Sequence, residues 1–364
     1  MLVDRKAELA ALSAMLAESA RGIAGFAVVR GGTALGKTEL LHSLRTRAAE
    51  HGFTVLTALG SPAEQPYPYA LADQLFPELA LHNEALATDG RDGTAVPPHV
   101  MRRLHCAALD LAAEQPLLLC VDDLQYADHA SQQCLLYLIR RLRTARTAFV
   151  VTEAPHGTAH RTLLGELQYQ PRIRRLTLAP LGASGVDRIV AGRLGEPAAE
   201  RLAAGFHRLS GGNPLLLHAL LDDTADAATP APVPGDAYRA AALACVHRSG
   251  DDALAVARAV AVLGDSADNT DGSGTDVTTL LATVSGIAPR DVGPALDALT
   301  ASALFHTGRP RHPVLAEALL ADLSPTAHTA LRAHAARALH ARGAPAAAVA
   351  AQLLAGGPLG ESWE

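Results

Sequence analysis

Aromatic side chains are scarce here: Phe, Trp and Tyr make up 4% of 364 residues, and the one tryptophan is Trp363. Any core must therefore be assembled from leucine, valine and alanine. Apolar residues reach 49%, which excludes a chain disordered throughout. The length allows two or three domains with a sizeable core, and the abundance of alanine favours helix.

Long basic runs are missing too. The formal net charge is −6. The densest basic patches are Arg140-Arg141 with Arg143, and Arg172 with Arg174-Arg175. A duplex-binding face needs more than this, so direct DNA binding by these residues is not expected. There are four cysteines, Cys106, Cys120, Cys134 and Cys245, and no pair has the C-x-x-C spacing. That excludes a zinc ribbon or a dithiol redox motif. Cys120 lies in an apolar run, where a buried free thiol is expected. Sixteen histidines include no H-E-x-x-H. His328, His334 and His340 recur every six residues, about 600° of helix rotation, so they fan around a helix instead of converging on a metal. No apolar run has the length of a bilayer span. The opening "MLVDRKAELAALSAML" carries Asp4, Lys6 and Glu8 and lacks the apolar centre of a signal peptide. A reducing cytoplasm is the expected compartment.

The chain does hold an ordered alternation of elements. Leu9, Leu12, Met15 and Leu16 form one stripe of a helix expected from Asp4 to about Arg21. Strands are expected at Phe26 to Arg30, Phe53 to Leu59, 116–123, Ala148 to Thr152 and Arg174 to Leu178. Helices are expected at Lys37 to Glu50, 71–80, His99 to Ala113 and Ser131 to Leu142. Gly52 closes the first of these helices. "LATDGRDGTAVPP" (86–98) reads as a loop. Strands that are apolar throughout and alternate with helices imply a parallel sheet covered on both faces. Beyond Leu181 the pattern becomes helical. "DDTADAATPAPVPGD" (222–236) reads as a linker. Short helices around a polar loop (264–276) follow, and then a helical pair.

The chemistry concentrates in "RGGTALGKTELL". Gly31, four residues, then Gly36-Lys37-Thr38 satisfies G-x-x-x-x-G-K-S/T between a strand and a helix. The two glycines let successive backbone N–H groups converge on phosphate oxygens. The positive end of the following helix adds to the attraction. Lys37 is expected to place its charge at the β- and γ-phosphates. Thr38 offers a hydroxyl to Mg²⁺. The residues from Gly31 through Gly32, Thr33, Ala34, Leu35, Gly36, Lys37 and Thr38 to Glu39 are the expected phosphate contacts of ATP or ADP. The second half of such a site is an acid at the tip of a neighbouring strand. "LLLCVDD" supplies Asp122, expected to orient the metal directly or through water. It also supplies Asp123, where many such ATPases hold a glutamate that polarises the attacking water. Lys37 and Asp123 are the expected catalytic pair.

Five stretches carry a resemblance to the N-terminal STAND-type ATPase region of the large ATP-binding LuxR-family regulators of actinomycetes. They are "VDRKAELAALSAML", "GGTALGKTELL", "LLLCVDDLQYAD", "LSGGNPLLLHAL" and "RHPVLAEALL". The resemblance implies an α/β P-loop NTPase core with a five-stranded parallel sheet over 1–181 and a helical lid over 182–222. A linker (223–236), a winged-helix-like domain (237–320) and the start of a helical arm (321–364) would follow. It implies a switch in which ADP favours a resting form and ATP an open or assembling one, with self-association or partner domains, controlling transcription of secondary-metabolite genes. By position it places Val3 and Arg5 near the adenine, Pro214 beside it in the lid, and His312 at the phosphates. Each has a plainer reading. Pro214 can be the first-turn proline of a helix capped by Asn213. His312 can simply start the helix at Pro313, and Arg5 can be a solvated charge at a helix start.

Three departures stand out. The family's opening glycine is Asp4. The proline usual in the phosphate loop is replaced by Thr33-Ala34-Leu35. The strand "FVVTEAP" ends in Glu153 where relatives often carry an arginine suited to the γ-phosphate. Either Glu153 points away, another residue such as Arg208 substitutes, or hydrolysis is weak. The family's DNA-reading helix-turn-helix lies well beyond position 364, so the sequence is expected to be a regulatory fragment. Two functions are open: a slowly hydrolysing ATP/ADP switch, and a non-hydrolysing scaffold with nucleotide as a structural ligand.

Overall fold

A computed structural model describes residues 3–83, 95–154, 173–225, 231–264 and 274–356. Residues 86–94 of the expected loop at 86–98, and parts of the 222–236 and 264–276 stretches, lie outside them; Pro98, the last residue of that loop, already opens a helix. The chain divides into two compact units: Met1–Gly31 with Gly36–Leu178, and Gly32–Leu35 with Ala179–Glu364.

The first unit begins with helix α1 (Lys6–Ala20), whose Leu9, Leu12, Met15 and Leu16 are buried as their spacing predicts. Strand β1 (Gly25–Gly31), helix α2 (Lys37–Glu50) and strand β2 (Thr54–Leu59) follow. The helix expected at 71–80 is shorter: α3 covers Ala70–Leu75, and Pro77–Leu79 is a 3₁₀ turn. Pro77 explains the break, because the residue before a proline avoids the helical region. Then come α4 (Pro98–Glu114), β3 (Leu117–Asp122), a 3₁₀ turn (Leu124–Tyr126), α5 (His129–Arg141), β4 (Thr147–Glu153) and β5 (Ile173–Leu178).

The five strands form one parallel sheet in the order β2-β3-β4-β1-β5. Every residue of β3 and β4 is buried, while β2 and β5, at the edges, are partly exposed. This is why the central strands read as unbroken apolar runs and the edges do not. One core cluster joins Phe26, Val28, Leu117, Leu119, Phe149 and Val151 of the sheet to Leu104 of α4 and Leu135 of α5. Phe26 and Phe149 meet with ring centroids 6.5 Å apart.

The second unit is helical: α6 (Ala183–Leu194), α7 (Glu196–Ser210), α8 (Pro214–Ala225), α9 (Asp236–Arg248), α10 (Asp251–Leu263), α11 (Gly274–Ser285) and α12 (Pro289–Ala301). A short antiparallel hairpin, β6 (Phe305–His306) with β7 (Arg309–Pro310), precedes α13 (Pro313–Ala321), α14 (Pro325–Ala341) and α15 (Ala346–Gly356). One hydrophobic cluster runs from Leu181 to Leu339, on both sides of the 222–236 stretch. Asp223 closes that stretch: its carboxylate accepts from the N–H of Gly235 (2.7 Å), Ala237 (3.0 Å) and Tyr238 (3.0 Å). Residues 32–35 share the hydrogen bonding of this unit. The Thr33 N–H donates to Ser302 Oγ (3.1 Å), and the Thr33 carbonyl accepts from Asn213 Nδ2 (3.1 Å).

Candidate nucleotide site

The parallel sheet brings the chemistry of the first unit to the carboxyl ends of its strands. Gly36 adopts φ +90°, a left-handed conformation open to glycine, and sits at the N-cap of α2 with no side-chain cap. A helix start of this kind, fed by a glycine turn, attracts anions. Lys37 folds back so that Nζ donates to the Gly31 carbonyl (2.9 Å). Burial pulls its ammonium below the ordinary lysine value, and the carboxylates of Asp123 and Asp122 pull it back up. The lysine thus faces both acids, as its spacing from them in the sequence could not show.

Thr38 Oγ1 donates to Asp122 Oδ2 at 2.7 Å. Asp122 ends β3, is buried, and takes a second bond at Oδ1 from Thr152 Oγ1 on β4. The same Thr152 oxygen accepts the Asp123 N–H at 2.9 Å. The register explains this meeting. Val121 lies opposite Val151, so the next residues, Asp122 at the end of β3 and Thr152, last but one in β4, stand side by side. Asp123 turns off the strand with φ +52°. Gly60 accommodates that turn: it donates its N–H to the Asp122 carbonyl (2.9 Å), and a Cβ there would collide with the Asp123 carbonyl. Gln125 Nε2 donates to Asp123 Oδ1 (2.9 Å), while its Oε1 accepts the Ala154 N–H (3.1 Å).

The hydroxyl of Thr38 and the carboxylate of Asp122 are hard oxygen donors at hydrogen-bond distance. That set fits Mg²⁺, which takes one or two protein groups and completes its shell with phosphates and water. Among the described residues no group of three or more His, Cys, Asp or Glu could hold a metal.

Glu153 is 2% exposed and is paired with Arg30, its register partner on β1, whose Nε donates to Glu153 Oε1. The acid that stands in the arginine's place therefore has a cation beside it. The pairing required the sheet order, which sets β1 next to β4. Thr152, Gln125 and Arg30 escaped the sequence reading. The legible signals were a lone polar residue in an apolar strand and the polar position of "DDLQYAD". Asp128 of that stretch has a structural task. It caps α5 and accepts the N–H groups of Tyr69 (2.9 Å) and Leu71 (3.3 Å).

Val3 is half-buried, and Arg5 is 4% exposed. Arg5 is therefore not the solvated charge its position at a helix start allowed. Burial lowers its pKa, with Glu8 and Asp4 opposing. In the second unit, Pro214 opens α8, and Asn213 Oδ1 accepts from the N–H of Leu215 (3.0 Å) and Leu216 (3.3 Å). His312 caps α13: its Nδ1 accepts from the Val314 N–H (3.2 Å), which places the ring proton on Nε2. Its ring meets Tyr238 edge-on at 6.5 Å, and burial lowers its pKa. Both capping roles are thus real geometry. The thiols of Cys120 and Cys134 are pushed up to about 12 by burial, which leaves them inert.

Residues 1–151 match the AAA ATPase domain family. The matched segment carries the glycine loop and both acids, on a P-loop NTPase fold. No curated protein matches the sequence. Among solved structures, the ORC2 protein of Aeropyrum pernix in its ADPNP-ADP complexes aligns with 87% of this chain and 93% of its own. The identity is 14% and the TM-score 0.47. RuvB of Thermotoga maritima aligns with 85% of this chain and 91% of its own, at 16% identity and TM-score 0.45. A STAND protein with a tetratricopeptide-repeat sensor from Pyrococcus horikoshii aligns with 94% of this chain and 46% of its own. There the identity is 14% and the TM-score 0.37. Among the described residues, no helix is long and apolar enough to cross a membrane.

Proposed function

We propose that the chain is a cytoplasmic ATP/ADP-binding regulatory switch with slow ATPase activity. It would be the STAND-type part of a LuxR-family transcriptional activator of secondary-metabolite genes. The bond from Thr38 to Asp122 at 2.7 Å carries the nucleotide reading, because it joins the glycine-loop helix to the acid-bearing strand. Lys37 holds the β- and γ-phosphates, and the residues from Gly31 to Glu39 cradle them with backbone N–H groups. Mg²⁺ held at Thr38 and Asp122 would neutralise phosphate charge. Asp123 orients the attacking water and accepts its proton.

The regulatory half of the reading rests on the resemblance carried by "LSGGNPLLLHAL" and "RHPVLAEALL". On it, 182–222 is a lid, 237–320 a winged-helix-like domain, and DNA is read by a module outside these residues. The same resemblance assigns Val3, Arg5 and Pro214 to the adenine and His312 to the phosphates. Nucleotide state would govern self-association or partner docking. ADP and ATP should bind with dissociation constants on the order of micromolar, and Lys37→Ala should abolish binding. Unchanged affinity in that variant sinks the reading. Glu153 favours a second reading, a scaffold that holds nucleotide without cleaving it. Single-turnover assays with labelled ATP separate the two: phosphate release that depends on Asp123 rules out the scaffold.

A further inference from the structure

We propose that Gln125 is a positioning residue that holds the Asp123 carboxylate in the direction needed to meet the attacking water; the inference rests on the nucleotide reading above. Gln125 is buried in the 3₁₀ turn, Leu124–Tyr126, that follows β3. A side-chain amide has a donor end and an acceptor end, and exchanging them means turning the group over. Here the acceptor end is committed: Oε1 takes the Ala154 N–H at 3.1 Å. A backbone N–H can only donate, so this contact decides which end of the amide is which. The NH₂ end is thereby aimed at Asp123, and Nε2 donates to its Oδ1 at 2.9 Å.

The backbone around the amide is held as well. The Tyr126 N–H donates to the Asp123 carbonyl (3.0 Å) and closes the turn. The Gln125 carbonyl accepts from Gln65 Nε2 (3.4 Å), on the loop after β2. The direction of the Asp123 carboxylate matters more than it would for a longer acid, because an aspartate has no third torsion with which to correct its aim. A misplacement of about 1 Å in a reacting group can cost about 10²-fold in rate. A glutamine serving the fold alone would need only its acceptor end, to satisfy Ala154. This one also gives a proton to the acid, and the two ends can be tested apart.

The test is single-turnover phosphate release from labelled ATP by the full chain, set beside its affinity for ADP. Gln125→Glu keeps the shape and the acceptor for the Ala154 N–H, and it removes the donor. It should slow release about tenfold or more, with the ADP dissociation constant within about twofold of wild type. A purely structural glutamine predicts the opposite, release at the wild-type rate, because the Ala154 contact survives. If the glutamate variant does not fold, the uncharged Gln125→Met carries the same expectation. Wild-type release from a folded donor-free variant overturns the proposal. So does a loss of ADP affinity as large as the loss of rate, or a failure of both variants to fold, which makes Gln125 a residue of the fold. Asp123→Asn in the same assay keeps the failures apart. If it releases phosphate at the wild-type rate, or the wild-type chain releases none, the role of Asp123 is wrong and that of Gln125 goes with it. If Asp123→Asn loses release while Gln125→Glu behaves as wild type, only the role of Gln125 falls.

Discussion

Replacing Asp128 by alanine should unfasten the first unit where the start of α3 meets the start of α5. The Asp128 carboxylate is 3% exposed and accepts three backbone N–H groups: Tyr69 (2.9 Å), Leu71 (3.3 Å) and Ser131 (2.8 Å). The Ser131 bond caps α5 and is worth about 1 kcal/mol. The other two donors lie in buried surroundings, and each left without an acceptor costs about 1–3 kcal/mol. Allowing for relaxation, Asp128→Ala should destabilise the unit by about 3–5 kcal/mol. Asparagine retains Oδ1, the acceptor for Tyr69 and Ser131, and turns an amide toward Leu71. Its cost should be smaller, about 1–2 kcal/mol. Urea denaturation followed by circular dichroism measures the total. At about 2–3 kcal/mol per molar of urea, the alanine variant's midpoint falls by roughly 1–2.5 M. Hydrogen exchange resolves the cause, since the Tyr69 and Leu71 amides should lose protection first. An alanine variant within about 1 kcal/mol of wild type, or an asparagine variant equally damaged, would refute the reasoning.

Other outcomes follow from the same geometry. Arg30→Ala removes the ion-pair partner seen beside the buried Glu153 and should cost about 2–3 kcal/mol, discounted for the exposure of Arg30; Glu153→Gln should relieve most of that in the double variant, read as a thermal midpoint. His312 has a lowered pKa in the fold, so the unfolded chain binds its proton first as pH falls. Its contribution is present above the unfolded value of 6.5 and is lost as pH drops through the lower folded value. His312→Asn keeps a cap and should flatten that acid slope in thermal melts; a slope unchanged by the substitution counts against it. Among the cysteines, Cys106 is exposed, and the Cys120, Cys134 and Cys245 thiols are pushed up to about 12. Mass spectrometry of the native chain treated with iodoacetamide at pH 8 should therefore find label on Cys106, with the other three reacting on unfolding. Asp123→Asn should bind nucleotide and lose phosphate release in single turnover; release at the wild-type rate removes Asp123 from catalysis.

The sequence by itself determined the alternation of buried strands and helices, since short apolar runs such as "LLLCV" and "AFVV" set between helical stretches imply central strands of a covered sheet. It also determined the glycine loop and its two acids, because Gly31, Gly36, Lys37 and Thr38 are adjacent in the chain and their spacing is a local property. The burial of Arg5 was not legible in it, because a charge at a helix start gives no sign of burial. Only the tertiary structure decided what stands beside the acids. Thr152 reaches Asp122, and Arg30 reaches Glu153, through the strand order β2-β3-β4-β1-β5 and the parallel register. Those pairings join residues far apart in the chain, and strand order is set by how whole helices and strands pack, which no local pattern of residues records.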